Sequence, residues 1–154
     1  VTVLALKLDG APVVEPFLVR PDEKGRIHLG VESSEIDTRF EQRAKKENAL
    51  GHVFLTKWSR HDDVPTWKLE VPRAATYRVE LSYGSTRGAA DKPLVVSVGG
   101  QTLSGKTVNT GGEWVFRTQS LGNLSLAKGE HTLQVKSANT QGLDGVTLEK
   151  VTLV

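Results

Sequence analysis

Residues 67–84 read WKLEVPRAATYRVELSYG, and the parity of their side chains decides the fold class. Trp67, Leu69 and Val71 fall on one side of an extended backbone, and Tyr77, Val79, Leu81 and Tyr83 repeat that parity after a break over Pro72–Thr76. Lys68, Glu70, Arg78 and Glu80 take the opposite side, so each strand has one buried and one wet face. The stretch predicts a hairpin of two strands joined by a turn, packed on a core through one face, as in an antiparallel sandwich.

Downstream the same alternation recurs between turn signals. Leu94–Val98 is a strand, Gly99-Gly100 is a two-residue turn that tolerates positive φ, and Gln101–Val108 returns. Asn109–Gly112 turns, Trp114–Ser120 runs out, Leu124 and Leu126 cross separately, and Lys128-Gly129 turns into His131–Ser137. The final strand, Val146–Val154, changes parity between Leu148 and Val151, which predicts a bulge near Glu149-Lys150.

Upstream, Val1–Leu8 alternates and stops at Asp9-Gly10, and the proline-bearing segment 11–25 reads as a connector. Ile27–Val31 is a second strand. Asp37–Leu50 has two readings: a helix, on the capping pattern Thr38/Glu41 with Gly51 past its end, or a strand at Arg39–Arg43 followed by a charged loop. Val53–Trp58 is a further strand. Many short strands without helix–strand alternation predict an all-β, antiparallel β-sandwich of jelly-roll type.

A chain of 154 residues supports one sizeable core. Charged residues make up 25% with both signs scattered and a formal net charge of +2, so neither a nucleic-acid nor a lipid surface is indicated, despite a pI near 8.9. Without cysteine there is no disulfide framework or thiolate cluster. No apolar run approaches the roughly 18 residues of a membrane span. The N-terminus lacks the basic start of a signal peptide, and a chain opening on Val1 reads as an excised piece of something longer.

Catalytic constellations are hard to find. No glycine-flanked serine elbow occurs, and no carboxylate pair is brought together by spacing. His61-Asp62-Asp63 groups three metal- or proton-handling side chains, but sequence neighbours on a loop seldom face one point. The chain reads as non-catalytic. The aromatic residues remain. Sugars offer apolar C–H faces to aromatic rings and hydroxyls to polar neighbours. Trp114 follows the turn Thr110–Glu113, where it is either a stacking platform or a core residue, and Glu113, Arg87 and Asp91 are its candidate polar partners. Trp58 and Trp67 bracket the loop Ser59–Pro65; sheet packing suits both, and Trp58 is kept among the candidate ligand-binding residues.

In order, WSRHDDVPTWKLEVPRAATYRVELSYG (58–84), VVSVGGQTL (95–103) and TVNTGGEWVFRTQSLGNLSLAKGEHTLQVK (107–136) resemble the galactose-binding-like β-sandwich of carbohydrate-binding modules in families six and thirty-five. The resemblance spans roughly residues 25–154 and implies a module that binds carbohydrate weakly or packs on a parent catalytic domain. The opening VTVLALKLDGAPVVEP (1–16) resembles the last strand of the β-sandwich that follows the barrel of retaining α-L-fucosidases. That implies a division into 1–16, belonging to a preceding domain or an edge strand, and 17–154, the accessory module of a secreted or periplasmic glycosidase. A purely structural sandwich with no ligand is the alternative.

Three departures stand out. In the binding modules tryptophan directly follows T-G-G, whereas here Glu113 intervenes, and a one-residue shift turns a strand side chain to the opposite face. Thr147 and Glu149 replace an asparagine and an aspartate of the last strand. Calcium in such modules is held by a glutamate after an alanine on the first strand, where this chain has Gly30 and Val31. No cofactor is therefore expected, and Glu32, Glu35 and Glu149 are the acidic residues left for an ion.

Overall fold

The computed structural model describes residues 17–36 and 44–154. The expected strand at Val1–Leu8, the junction near residue 16 and the strand reading of Arg39–Arg43 lie outside the described residues. Those residues form ten strands: β1 (Ile27–Gly30), β2 (Lys45–Ala49), β3 (His52–Thr56), β4 (Thr66–Val71), β5 (Ala75–Ser85), β6 (Pro93–Val98), β7 (Gln101–Lys106), β8 (Gly112–Leu126), β9 (Gly129–Ser137) and β10 (Val146–Leu153). A six-stranded sheet in the order β2-β3-β10-β5-β8, with β1 also on β10, faces a four-stranded sheet in the order β4-β9-β6-β7. The fold is an antiparallel β-sandwich, and among the described residues only short 3-10 turns interrupt the strands.

The stretch that set the fold class is not a hairpin. β4 pairs with β9 in one sheet, while β5 pairs with β8 and β10 in the other, so Pro72–Ala74 carries the chain across the sandwich. The parity nonetheless holds. Trp67, Leu69 and Val71 on one sheet and Tyr77, Val79, Leu81 and Tyr83 on the other are all buried. A hairpin and a crossover give the same alternation, because both put one face of each strand on the core. Trp67 and Trp58 enter the core with their indole N–H groups satisfied, donating to the carbonyls of Gly30 and Asp63, each at 2.7 Å.

Two other expectations change. The charged segment KKENA is neither helix nor loop but β2, which pairs with β3 across Leu50-Gly51, whose φ values are 53° and 79°. Cross-strand pairing overrides local helix preference, and the positive φ at Gly51 serves a tight hairpin turn rather than a helix end. Trp114–Ser120 and Leu124–Leu126 belong to one strand, β8, whose register against β5 slips at Leu121 and again between Gly112 and Phe116. The Gly99-Gly100 hairpin matches expectation, with φ of 57° and 76°. So does the bulge in β10, whose register slips between Leu148 and Lys150, where its neighbour changes from β3 to β1.

Neighbouring positions on β4 separate core from surface. Trp67→Ala is expected to cost about 3–5 kcal/mol in urea denaturation, and Lys68→Ala to stay within about 0.5 kcal/mol. Similar losses from both substitutions would contradict the burial of Trp67.

Candidate functional site

The outer face of the six-stranded sheet carries the side chains opposite in parity to the core set. On β5 these are Arg78, Glu80, Ser82 and Gly84; on β8 they include Phe116 and Thr118, which pair with Gly84 and Ser82. Thr147 pairs with Gly84 from the other side. A glycine beside a threonine leaves this row low, and aromatic rings fill it from both flanks. Phe54 from β3 stacks on Phe116 with centroids 4.9 Å apart, and Trp114 meets both edge-on, at 5.5 Å from Phe54 and 6.3 Å from Phe116. Phe54 is buried under the group, and Trp114 keeps 46% of its surface exposed.

A wide bulge places Trp114 there. Gly84 pairs with Phe116 but Ser85 pairs with Gly112, which leaves Glu113, Trp114 and Val115 opposite no residue of β5. The backbone of this bulge lies directly on Gly84, where an added Cβ would come within 2.1 Å of the Glu113 carbonyl oxygen. Thr110 anchors its start: its buried hydroxyl accepts from the Ser85 amide at 2.7 Å. Glu113 and Trp114 both lie inside the bulge, so simple strand alternation does not set the direction of the indole. Trp114 is not a core residue.

Of the other candidates, the Glu113 carboxylate reaches the neighbourhood of Gly145, which Ala89 of the 3-10 turn Arg87–Ala89 also approaches, and Arg87 in that turn is exposed. Asp91 is exposed with a φ of 60° and is fixed through its amide to the Thr107 carbonyl at 2.8 Å. Arg87 and Asp91 lie between β5 and β6, and Glu113 lies in the bulge at the start of β8. Trp58 does not join them. Only 1% exposed, its ring packs in the core and offers no face to a ligand. Its position at the mouth of a loop is misleading because Asp63 folds inward, giving its carbonyl to Trp58 and a carboxylate oxygen to the Ala44 amide at 3.2 Å.

The glutamates that remained for an ion go to separate partners. Glu149 accepts a hydrogen bond from the Ser82 hydroxyl, Glu35 lies 3.6 Å from the Lys68 ammonium, and the Glu32 carboxylate folds back over Gly30. The Lys46 ammonium already occupies the carbonyls of Glu32 and Ser34. Burial lowers its pKa, against the raising influence of Glu32 and Glu35. No cluster of three metal-binding side chains forms among the described residues.

Phe54 and Phe116 belong to the site although sequence reasoning did not single them out. Their signal is present: Phe54 has the parity opposite to Leu55, and Phe116 sits two residues from Trp114 on the face shared with Gly84.

No protein-family model matches the chain, and no curated protein matches it in sequence. Solved structures do. The chain is similar to a family 35 carbohydrate-binding module from Clostridium thermocellum, at 16% identity and a TM-score of 0.67, over 83% of this chain and 96% of that one. It is also similar to part of a Podospora anserina β-(1,4)-mannanase carrying such a module (13% identity, TM-score 0.64, 84% of this chain and 27% of that one). A third likeness is to an exo-β-1,3-galactanase from Phanerochaete chrysosporium, whose structure was solved with β-1,3-galactotriose (16% identity, TM-score 0.64, 82% and 29%). At these identities the likeness shows the fold.

Trp114 is the accessible indole, against 1% exposure for Trp58 and 0% for Trp67. Acrylamide is expected to quench a red-shifted emission component that Trp114→Phe removes. Gly84→Ala is expected to cost about 1–3 kcal/mol and to shift that component, because the bulge must lift. An unchanged spectrum in both variants would refute this placement.

Proposed function

We propose that the chain is a non-catalytic carbohydrate-binding module that takes a sugar on the Trp114 ring. The observation that carries this reading is a half-exposed indole packed edge-on against two phenylalanine rings on the outer face of the sheet. A sugar's C–H face gains by covering such a ring, and hydroxyls at its rim need directional partners. We assign Glu113, the residue before Trp114, with Arg87 and Asp91 between β5 and β6, as those polar partners. Similarity to modules within a mannanase and a galactanase supports the same reading. The resemblance of residues 1–16 supports a setting in a secreted glycosidase, an α-L-fucosidase, with the catalytic domain as the module's other partner.

One observation favours a structural role instead. Val115 and Val108 are also about half exposed near Trp114, which suits an apolar protein surface.

Calorimetry of the isolated chain against neutral oligosaccharides separates the two. Trp114→Ala is expected to cost about 2 kcal/mol of binding, roughly 30-fold in affinity, with its melting temperature preserved. Equal silence from parent and variant at millimolar sugar would remove carbohydrate binding and leave the structural role.

A further inference from the structure

Arg87 and Asp91 lie on one segment, between β5 and β6, and Glu113 and Trp114 lie on another, the bulge that opens β8. A single buried side chain joins the two. Thr107, just past β7, is 1% exposed. Its hydroxyl donates to the Ala89 carbonyl and accepts from the Lys92 amide at 3.0 Å. Its backbone binds the same segment: the Asp91 amide donates to the Thr107 carbonyl at 2.8 Å, and the Thr107 amide to the Lys92 carbonyl at 2.9 Å. Asp91 itself sits at φ 60°, a left-handed conformation that residues with a Cβ adopt sparingly, and the bonds to Thr107 fall on it and on its neighbour.

In the other direction Thr107 leads into a segment fixed to β5. The Val108 amide donates to the Tyr83 hydroxyl at 2.9 Å, the Ser85 hydroxyl donates to the Val108 carbonyl, and the Ser85 amide donates to the Thr110 hydroxyl at 2.7 Å. Gly112, where β8 starts, follows two residues later. The two segments meet again at Gly145, where an added Cβ would lie 3.0 Å from both Ala89 Cβ and Thr86 Oγ1 and 3.9 Å from Glu113 Oε1. Thr107 stands outside the β ladders, so its hydroxyl ties loop to loop rather than strand to strand.

We propose that Thr107 is a positioning residue of the carbohydrate site. It fixes Arg87 and Asp91 relative to Glu113 and Trp114, and so sets which arrangement of sugar hydroxyls the polar groups accept. This rests on the carbohydrate reading above and names what governs its selectivity. Stacking is independent of it, because the indole packs edge-on against Phe54 and Phe116 on the sheet.

The test compares Thr107→Val, which keeps the shape and loses the hydroxyl, with Thr107→Ser, which keeps the hydroxyl. In Thr107→Val, amide hydrogen exchange is expected to speed up about tenfold at Asp91 and Lys92 and to stay unchanged at the core residues Leu69 and Val79. Calorimetry against cello-, galacto- and manno-oligosaccharides is expected to show the spread between strongest and weakest binding narrowed about threefold or more. Acrylamide quenching of Trp114 stays as in the parent, and Thr107→Ser restores both exchange and spread. Unchanged exchange at Asp91 and Lys92 would overturn the proposal. So would faster exchange with an unchanged spread, an equal loss of affinity for all three sugars, or a parent that binds the three alike, and each of these leaves stacking on Trp114 intact. Silence of the parent towards all three at millimolar concentration would remove the carbohydrate reading, and the selectivity role with it, whatever the exchange rates.

Discussion

Everything in this molecule depends on two sheets burying their inner faces against each other, with period-two alternation sorting side chains between core and water. Trp67, Leu69 and Val71 from one layer and Val79, Leu81 and Tyr83 from the other are all at most 2% exposed. Each such side chain contributes on the order of 1.5–3 kcal/mol by leaving water. Polar atoms within the layer are paired, as when the Tyr83 hydroxyl donates to Gln119 at 2.5 Å and accepts from the Val108 amide at 2.9 Å. With the inner faces so committed, recognition is left to the outer faces and the loops.

Which residues face the core is legible in the sequence; which strands are neighbours is not. Alternation is a one-strand property, so Trp67–Gly84 reveals both buried faces yet suggests a hairpin where the chain crosses between sheets. A β-bulge is legible when parity visibly slips, as between Leu148 and Val151. At Glu113–Val115 three residues leave the ladder together, and the exit is set by the approach of backbone to Gly84, a contact between positions far apart in sequence. KKENA fails as a strand by pattern because its pairing, not its composition, makes it one.

The site obeys the same rule. Trp114 stands out in the sequence because an aromatic residue after a glycine turn is unusual, and its exposure agrees with a platform rather than a core role. Trp58 is indistinguishable from it at the level of sequence: each is a tryptophan beside a polar loop. What separates them is the direction of the loop. Asp63 turns inward and closes over Trp58, whereas the Glu113–Val115 bulge turns outward over Gly84.

A rigid aromatic base has consequences for how a weak site can still be specific. Trp114 touches two rings that are themselves packed, so little rotational freedom remains for a ligand to freeze. Stacking alone is indifferent to which hydroxyl points where, because every pyranose has an apolar face. Discrimination must come from directional polar groups beside the ring. On the proposed reading, the ring supplies affinity and the polar groups beside it supply selectivity.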